Sequence, residues 1–274
     1  MQIVAIIQAR TGSTRLPGKV LMDIVGKPML WHVIDRVKRC KNVDLIVVAT
    51  TEKNEDKAII ALANRSNVKS YVGSEEDVLD RYYKTAKRFK ADIIVRITAD
   101  CPLIDPTIVD KVISYYNKNN VDYVNVAPTF PEGLDTEVFS FNALETAWKQ
   151  AKKKYEREHV SIYIHENPAI FHIASIENEK DLSYVRIVVD SIADLNAVKE
   201  IYKYLYKDGE IFYLQDILAL LEEKPYIMEI NRDALRNEGL LRSLKKEGIV
   251  VKDYKPLKEF VDRYVKKQHS GEKT

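Results

Sequence analysis

Short apolar runs and amphipathic stretches take turns along the first half of the chain. Residues 3–9, IVAIIQA, are a β-branched run of the kind that forms a buried strand. Residues 28–40 follow with Met29, Leu30, Val33, Ile34 and Val37 on one helical face, and Pro28 suits a first helical turn. Residues 44–51 (DLIVVATT) predict a second strand, 54–66 a helix and 69–72 a brief strand. Ser74 is placed to cap a helix over 75–89, with Asp77 in a capping-box variant. Residues 91–100 (ADIIVRITAD) predict another buried strand, after which Asp105 and Pro106 open a helix over 107–119.

Strands alternating with helices at this spacing imply βαβ units, a parallel sheet and right-handed crossovers. Ligands of such sheets bind beyond the carboxyl ends of the strands. The second half is less regular. Residues 122–126, 136–140, 170–176 and 184–189 (YVRIVV) read as strands, and 143–154, 155–167 and 194–206 as helices. After about residue 225 the pattern changes to a charged helix, a strand-like IVV, another helix and a polar tail. This divides the chain into a main domain over 1–225 and a basic helical extension over 226–274. The extension's helices could cover the sheet, form a homodimer or hold a partner.

The chain has 274 residues, 46% hydrophobic and 31% charged, with a formal charge of +2. This near balance argues against a polyanion-binding protein, so no nucleic-acid partner is expected. Two cysteines make neither a disulfide framework nor a zinc spacing, which fits a reducing compartment. With no signal-peptide layout and no apolar run of spanning length, the expectation is a cytoplasmic protein without a membrane partner.

The loop after the first strand changes the picture. Residues 9–21, ARTGSTRLPGKVL, pack Arg10, Arg15 and Lys19 close together with no carboxylate between them. Gly12 and Gly18 let the backbone approach an anion, free N–H groups form a nest, and the two arginines can fork onto phosphate oxygens. A solvated surface loop is the other reading. A P-loop is excluded: Gly12 and Gly18 are one residue too far apart and Val20 follows Lys19; the dinucleotide fingerprint G-x-G-x-x-G is missing too.

The segment AIIQARTGSTRLPGKVL resembles the signature loop of the CMP-sugar synthetases, the CTP:sugar cytidylyltransferases, and most closely the spore coat polysaccharide biosynthesis protein F family. GKPML, VVATT, GSEEDVLDRY, VRITADCPLID, EGLDTEVFSF, EREHVSIYI and VVDSIADL match in order, over about residues 1–225. The resemblance implies a three-layer, Rossmann-like, mainly parallel sheet of the nucleotide-diphospho-sugar-transferase type. It also implies attack of an acceptor hydroxyl on the α-phosphorus of CTP, with loss of pyrophosphate. Ala9, Arg10, Gly12, Ser13, Arg15 and Lys19 would hold the nucleotide, and Arg10, Arg15, Lys19 and Asp100 would carry catalysis. Asp100 and Asp190 would bind Mg2+. A turn or cap is the other reading for Asp100, and a helix cap shared with Ser191 and Asp194 for Asp190.

Arg96 interrupts an apolar strand, so it reaches either the pyrimidine or phosphate, or an internal ion-pair partner. Asp135, Glu137, Glu158 and His159 would line the acceptor side; helix-surface pairing is the other reading for Glu156 and Arg157, and a satisfied structural histidine for His159. Cys101 reads as a small buried thiol. The acceptor-binding motifs of the octulosonic and neuraminic acid synthetases do not stand in this sequence, so the acceptor is a sugar, a sugar acid, or a polyol or phosphonate. Use of another nucleotide and a catalytically inactive nucleotide-binding regulator are the alternatives.

Overall fold

A computed structural model gives the fold and describes residues 1–249. The second helix expected in the extension lies outside the described residues, as does most of its strand-like IVV. In chain order come β1 (Ile3–Gln8), the two-residue strands β2 (Asp23–Ile24) and β3 (Lys27–Pro28), α1 (Met29–Val37), β4 (Leu45–Thr51), α2 (Lys57–Arg65), β5 (Lys69–Gly73), α3 (Val78–Arg88) and β6 (Ile93–Thr98). Then follow α4 (Pro106–Lys118), β7 (Tyr123–Val126), β8 (Glu137–Ser140), α5 (Phe141–Gln150), α6 (Lys154–Glu158), α7 (Ile162–Glu166) and β9 (Ile173–Ile176). Four helices close the described chain: α8 (Ile192–Leu205), α9 (Leu214–Glu223), α10 (Tyr226–Glu229) and α11 (Glu238–Lys246).

Seven strands form one sheet in the order β5-β4-β1-β6-β8-β7-β9. Its pairs are parallel except where β8 meets β6 and β7. In β1, Ala5 and Ile7 face one core, and Val4 and Ile6 the other. A strand buried on both faces has to be apolar at every position, which is why β1 reads as a continuous run and not as an alternation. Helices α1, α2, α4, α8 and α9 cover the first face, and α3, α5 and α7 the second. Because β8 runs antiparallel, its first residue, Glu137, pairs with Arg96 near the carboxyl end of β6. Both therefore reach the edge where the loops after β1 and β6 emerge.

Three expectations change. Helix α3 begins at Val78, capped by Asp77, whose carboxylate accepts the Asp80 N–H at 2.9 Å; Ser74 accepts only the Asp77 N–H, at 3.0 Å. Residues 155–167 are two short helices, because buried Val160 takes a left-handed conformation (φ 57°) that breaks the helical path. Residues 184–189 are no sheet strand. They run extended beside Glu132, with an isolated bridge from Glu132 to Arg186, and Val189 N–H donates to the Asp100 carbonyl at 2.8 Å. Just past the compositional change near residue 225, Ile227 lies in the main core.

Candidate active site

The loop after β1 folds on itself. Thr11 carbonyl accepts N–H groups from Ser13 and Gly18, both at 2.8 Å, and Gly18 takes φ 71° to start a single 3-10 turn at Lys19–Leu21. Asp56 anchors the loop by accepting both the N–H and the hydroxyl of Thr11, at 2.8 and 2.7 Å. Ala9, Arg10, Ser13, Arg15 and Lys19 then lie on the wall of a cavity of about 470 Å3 at the carboxyl ends of β1 and β6. Gly12 is not on that wall. A Cβ there would stand 2.9 Å from Glu75 Oε1, the mobile end of a side chain.

Lys19 is buried. Its ammonium donates to Asp100 Oδ2 at 2.9 Å, Asp190 Oδ1 at 2.8 Å and the Val189 carbonyl at 2.8 Å. Burial alone would lower the Lys19 pKa, but the two carboxylates outweigh it and raise it. Burial likewise works against the charge on Asp100, and Lys19 overcomes it, holding that carboxyl below its usual range. Arg15 closes the cluster, with Nη2 2.7 Å from Asp190 and Nη1 2.9 Å from Glu238 on α11. Arg10 stands 3.6 Å from Glu75, which also pairs with Lys53. Asp190 is thus brought to Asp100 by an extended segment and not by the end of a sheet strand. The cap of α8 falls to Ser191 and Asp194, which leaves Asp190 to the cations.

Beside this lies a second charge cluster. Arg186 donates to Asp194 Oδ1 at 2.8 Å and Oδ2 at 3.1 Å, pairs with Glu132, and reaches Asp190 Oδ2 at 3.4 Å. Asn231 adds a bond to Asp194 at 2.9 Å. Gly133 makes the approach of these segments possible: at φ 112° its Cβ would sit 2.6 Å from Val188 N.

On the floor, Arg96 donates to Glu137 at 2.8 Å, with its guanidinium 6.0 Å from the Tyr82 ring centroid. Arg96 thus has an ion-pair partner, and the pair faces the cavity. Among the described residues the second oxygen of Glu137, the Arg96 Nε and the Gln8 side-chain oxygen are buried without a partner. Unsatisfied polar atoms at a cavity floor are costly unless something fills them. Asp135 lines the same wall and accepts the Gly133 N–H at 3.0 Å. Glu158 and His159 complete the wall where α6 ends. Glu156 instead caps α6, accepting the N–H groups of Lys152 and Lys153 at 2.9 and 3.0 Å, and Arg157 is spent on Asp77 and the Trp148 and Ala151 carbonyls. Cys101 is buried and its thiol pushed up, chiefly by burial, so it is no nucleophile.

The cytidylyltransferase family model matches residues 4–247. The chain belongs to the cytidylyltransferase family. That membership makes it a nucleotidyltransferase that uses CTP. It is 44% identical to an uncharacterised protein of Methanocaldococcus jannaschii over 84% of this chain and 95% of that one. It is 31% identical to spore coat polysaccharide biosynthesis protein SpsF of Bacillus subtilis, over 81% and 95%. A solved cytidylyltransferase from Leptospira borgpetersenii superposes with a TM-score of 0.80 at 34% identity, covering 83% of this chain and 97% of that one. Among the described residues no helix of this cytidylyltransferase is long and apolar enough to cross a membrane.

Sequence reasoning missed Gln8, Glu132, Arg186 and the whole α11 wall of the cytidylyltransferase. Gln8 had a signal, a polar residue ending an apolar strand directly before the cationic loop. Glu132 and Arg186 gave none, since their meaning depends on each other across more than fifty positions.

Proposed function

We propose that the protein transfers CMP from CTP to a hydroxyl of a sugar or sugar acid, for synthesis of a surface polysaccharide or related glycan. The observation that carries this is the Lys19 ammonium, held by Asp100 and Asp190 beside Arg15 on the wall of a deep cavity. The acceptor oxygen forms a bond to the α-phosphorus, the α–β bridging P–O bond breaks, and pyrophosphate leaves with the bridging oxygen while the hydroxyl proton passes to solvent. Arg10, Arg15 and Lys19 sit where fixed cations would stabilise charge growing on the leaving pyrophosphate. Ser13 and the loop N–H groups would orient the triphosphate.

Asp100 and Asp190 supply two hard oxygen donors within reach of one cation, and among the described residues no group of three or more such ligands converges. That donor set fits Mg2+, which takes its remaining ligands from phosphates and water. When bound, Mg2+ would neutralise phosphate charge and lower the pKa of the attacking hydroxyl. The unsatisfied Gln8, Arg96 and Glu137 atoms, with Asp135, Glu158 and His159, form a polar floor suited to a polyhydroxylated acceptor. The Bacillus relative's role in polysaccharide biosynthesis supports that class.

The test is pyrophosphate release from CTP, ATP, GTP or UTP, with Mg2+ or with a chelator, against a panel of sugars, sugar acids, polyols and phosphonates. Release is expected with CTP, Mg2+ and a sugar or sugar acid. Release from a purine nucleotide alone, or unchanged release under chelation, overturns the reading.

A further inference from the structure

Helix α11, at the end of the stretch that the family model matches, closes the cavity over Glu158 and His159. It is held to α6 by a small apolar cluster, Leu244 against Tyr155, and by Glu247 accepting the Tyr155 N–H at 2.6 Å. Its buried Ser243 makes an unusual set of contacts. The hydroxyl lies 2.8 Å from Glu158 Oε2, 3.0 Å from His159 Nε2 and 3.1 Å from the Gly239 carbonyl.

A proton count settles these roles. A carboxylate and a carbonyl have no proton to give, and a serine hydroxyl has one. The shorter, charge-assisted bond takes it, so Ser243 donates to Glu158. Only lone pairs on Oγ then remain for the imidazole, and His159 Nε2 must carry the hydrogen. Burial pushes His159 down to about 4, with Glu158 opposing and Arg96 adding, so the ring is neutral and the second nitrogen, Nδ1, keeps its lone pair. Among the described residues Nδ1 has no hydrogen-bond partner, and His159 lines the cavity. The left-handed Val160 next to it is a conformation that a β-branched residue resists, and such strain persists only where the surroundings enforce it.

We propose that Ser243 is a positioning residue of the acceptor site: through the chain His159–Ser243–Glu158 it fixes the His159 tautomer whose Nδ1 accepts a hydrogen bond from an acceptor hydroxyl. The extension therefore supplies part of the specificity wall. The part played by the acceptor rests on the sugar or sugar-acid reading above; the tautomer does not.

Two-bond proton–nitrogen correlation spectra of the 15N-labelled full chain at neutral pH decide the tautomer, with His159 assigned by its loss in His159→Gln. The wild type is expected to show a protonated Nε2 and a bare Nδ1. Ser243→Ala should give a tautomer mixture, and Ser243→Thr, which keeps the hydroxyl, should restore the single form. Thermal protection by CTP with Mg2+ should be equal in all three. An Nδ1–H form in the wild type, or an unchanged pattern in Ser243→Ala, overturns the proposal. In the pyrophosphate assay, Ser243→Ala should raise KM for the panel compound that turns over by up to about tenfold, the loss of one hydrogen bond, with KM for CTP unchanged. An equal rise in both overturns the positioning role. Failure of every panel compound would count against the acceptor reading and leave the spectra to decide the tautomer.

Discussion

Asp190 and Asp194 stand close in sequence and both touch Arg186, yet they belong to different kinds of cluster. Asp194 is fully buried and saturated: it accepts from Arg186, Asn231, Ser191 Oγ and the N–H groups of Asp190 and Ser191. Nothing is left for a ligand. Asp190 faces Lys19 and Arg15 on a cavity wall, and both cations have other partners, Asp100 for one and Glu238 for the other. A carboxylate that is fully buried with every acceptor site taken builds the fold. One whose partners are shared and can be handed over to an incoming anion is suited to chemistry.

The sharpest way to break this comparison is Asp194→Ala. It takes the acceptor from the Asn231 amide, the Ser191 hydroxyl and the N–H groups of Asp190 and Ser191 and leaves Arg186 only Glu132 and Asp190, so stability should fall by about 3 kcal/mol, measured by urea unfolding. A loss below about 1 kcal/mol would mean that the cluster is not the structural one. Asp190→Asn should do the reverse. Its cations keep their other partners, so stability should change by no more than about 1 kcal/mol, while turnover drops at least about 100-fold and the Mg2+ requirement rises. An unchanged Mg2+ curve would return Asp190 to a structural role.

His32 sharpens the comparison as a buried group outside both clusters. Burial pushes it down to about 4 from 6.5, against the Ile24 carbonyl that accepts from its Nε2; Arg36 pushes it further, and Asp35 and Asp23 oppose. Between those values the unfolded chain binds a proton that the folded chain refuses. Stability is therefore full above pH 6.5 and falls as pH drops toward 4, by about 1.4 kcal/mol per pH unit for this residue. His159 and His165, also lowered by burial, act in the same direction. Unfolding midpoints at pH 7, 6 and 5 for wild type and His32→Gln should show a shallower slope in the variant, and parallel slopes would refute the assignment.

What the chain discloses before folding follows the same division. The loop from Ala9 to Lys19 is contiguous, so its cations and glycines advertise themselves together, and the strand–helix alternation up to Lys118 is legible because each element is long and periodic. Residues 184–189 mislead for a physical reason. An apolar extended run buries equally well against a loop as against a sheet, and only the partner, here Glu132, tells the two apart. The break at Val160 is hidden because nothing in a valine announces φ 57°. The α11 wall is hidden because Ser243 acquires meaning only from Glu158 and His159, more than eighty positions away.

Gly133 carries a consequence in the language of heredity. It touches no substrate in any scheme set out above, and it has no side chain with which to act. Yet any other residue at 133 would drive a carbon into the backbone of Ile187 and Val188. That would displace the segment whose next residues are the Val189 carbonyl and the Asp190 carboxylate on Lys19. An inherited change at this codon would thus read, in a survey of alleles, like the loss of a reacting group. Intolerance to mutation here marks the distance between two stretches of backbone, and a map of intolerant codons would outline the scaffold of the site as well as the site.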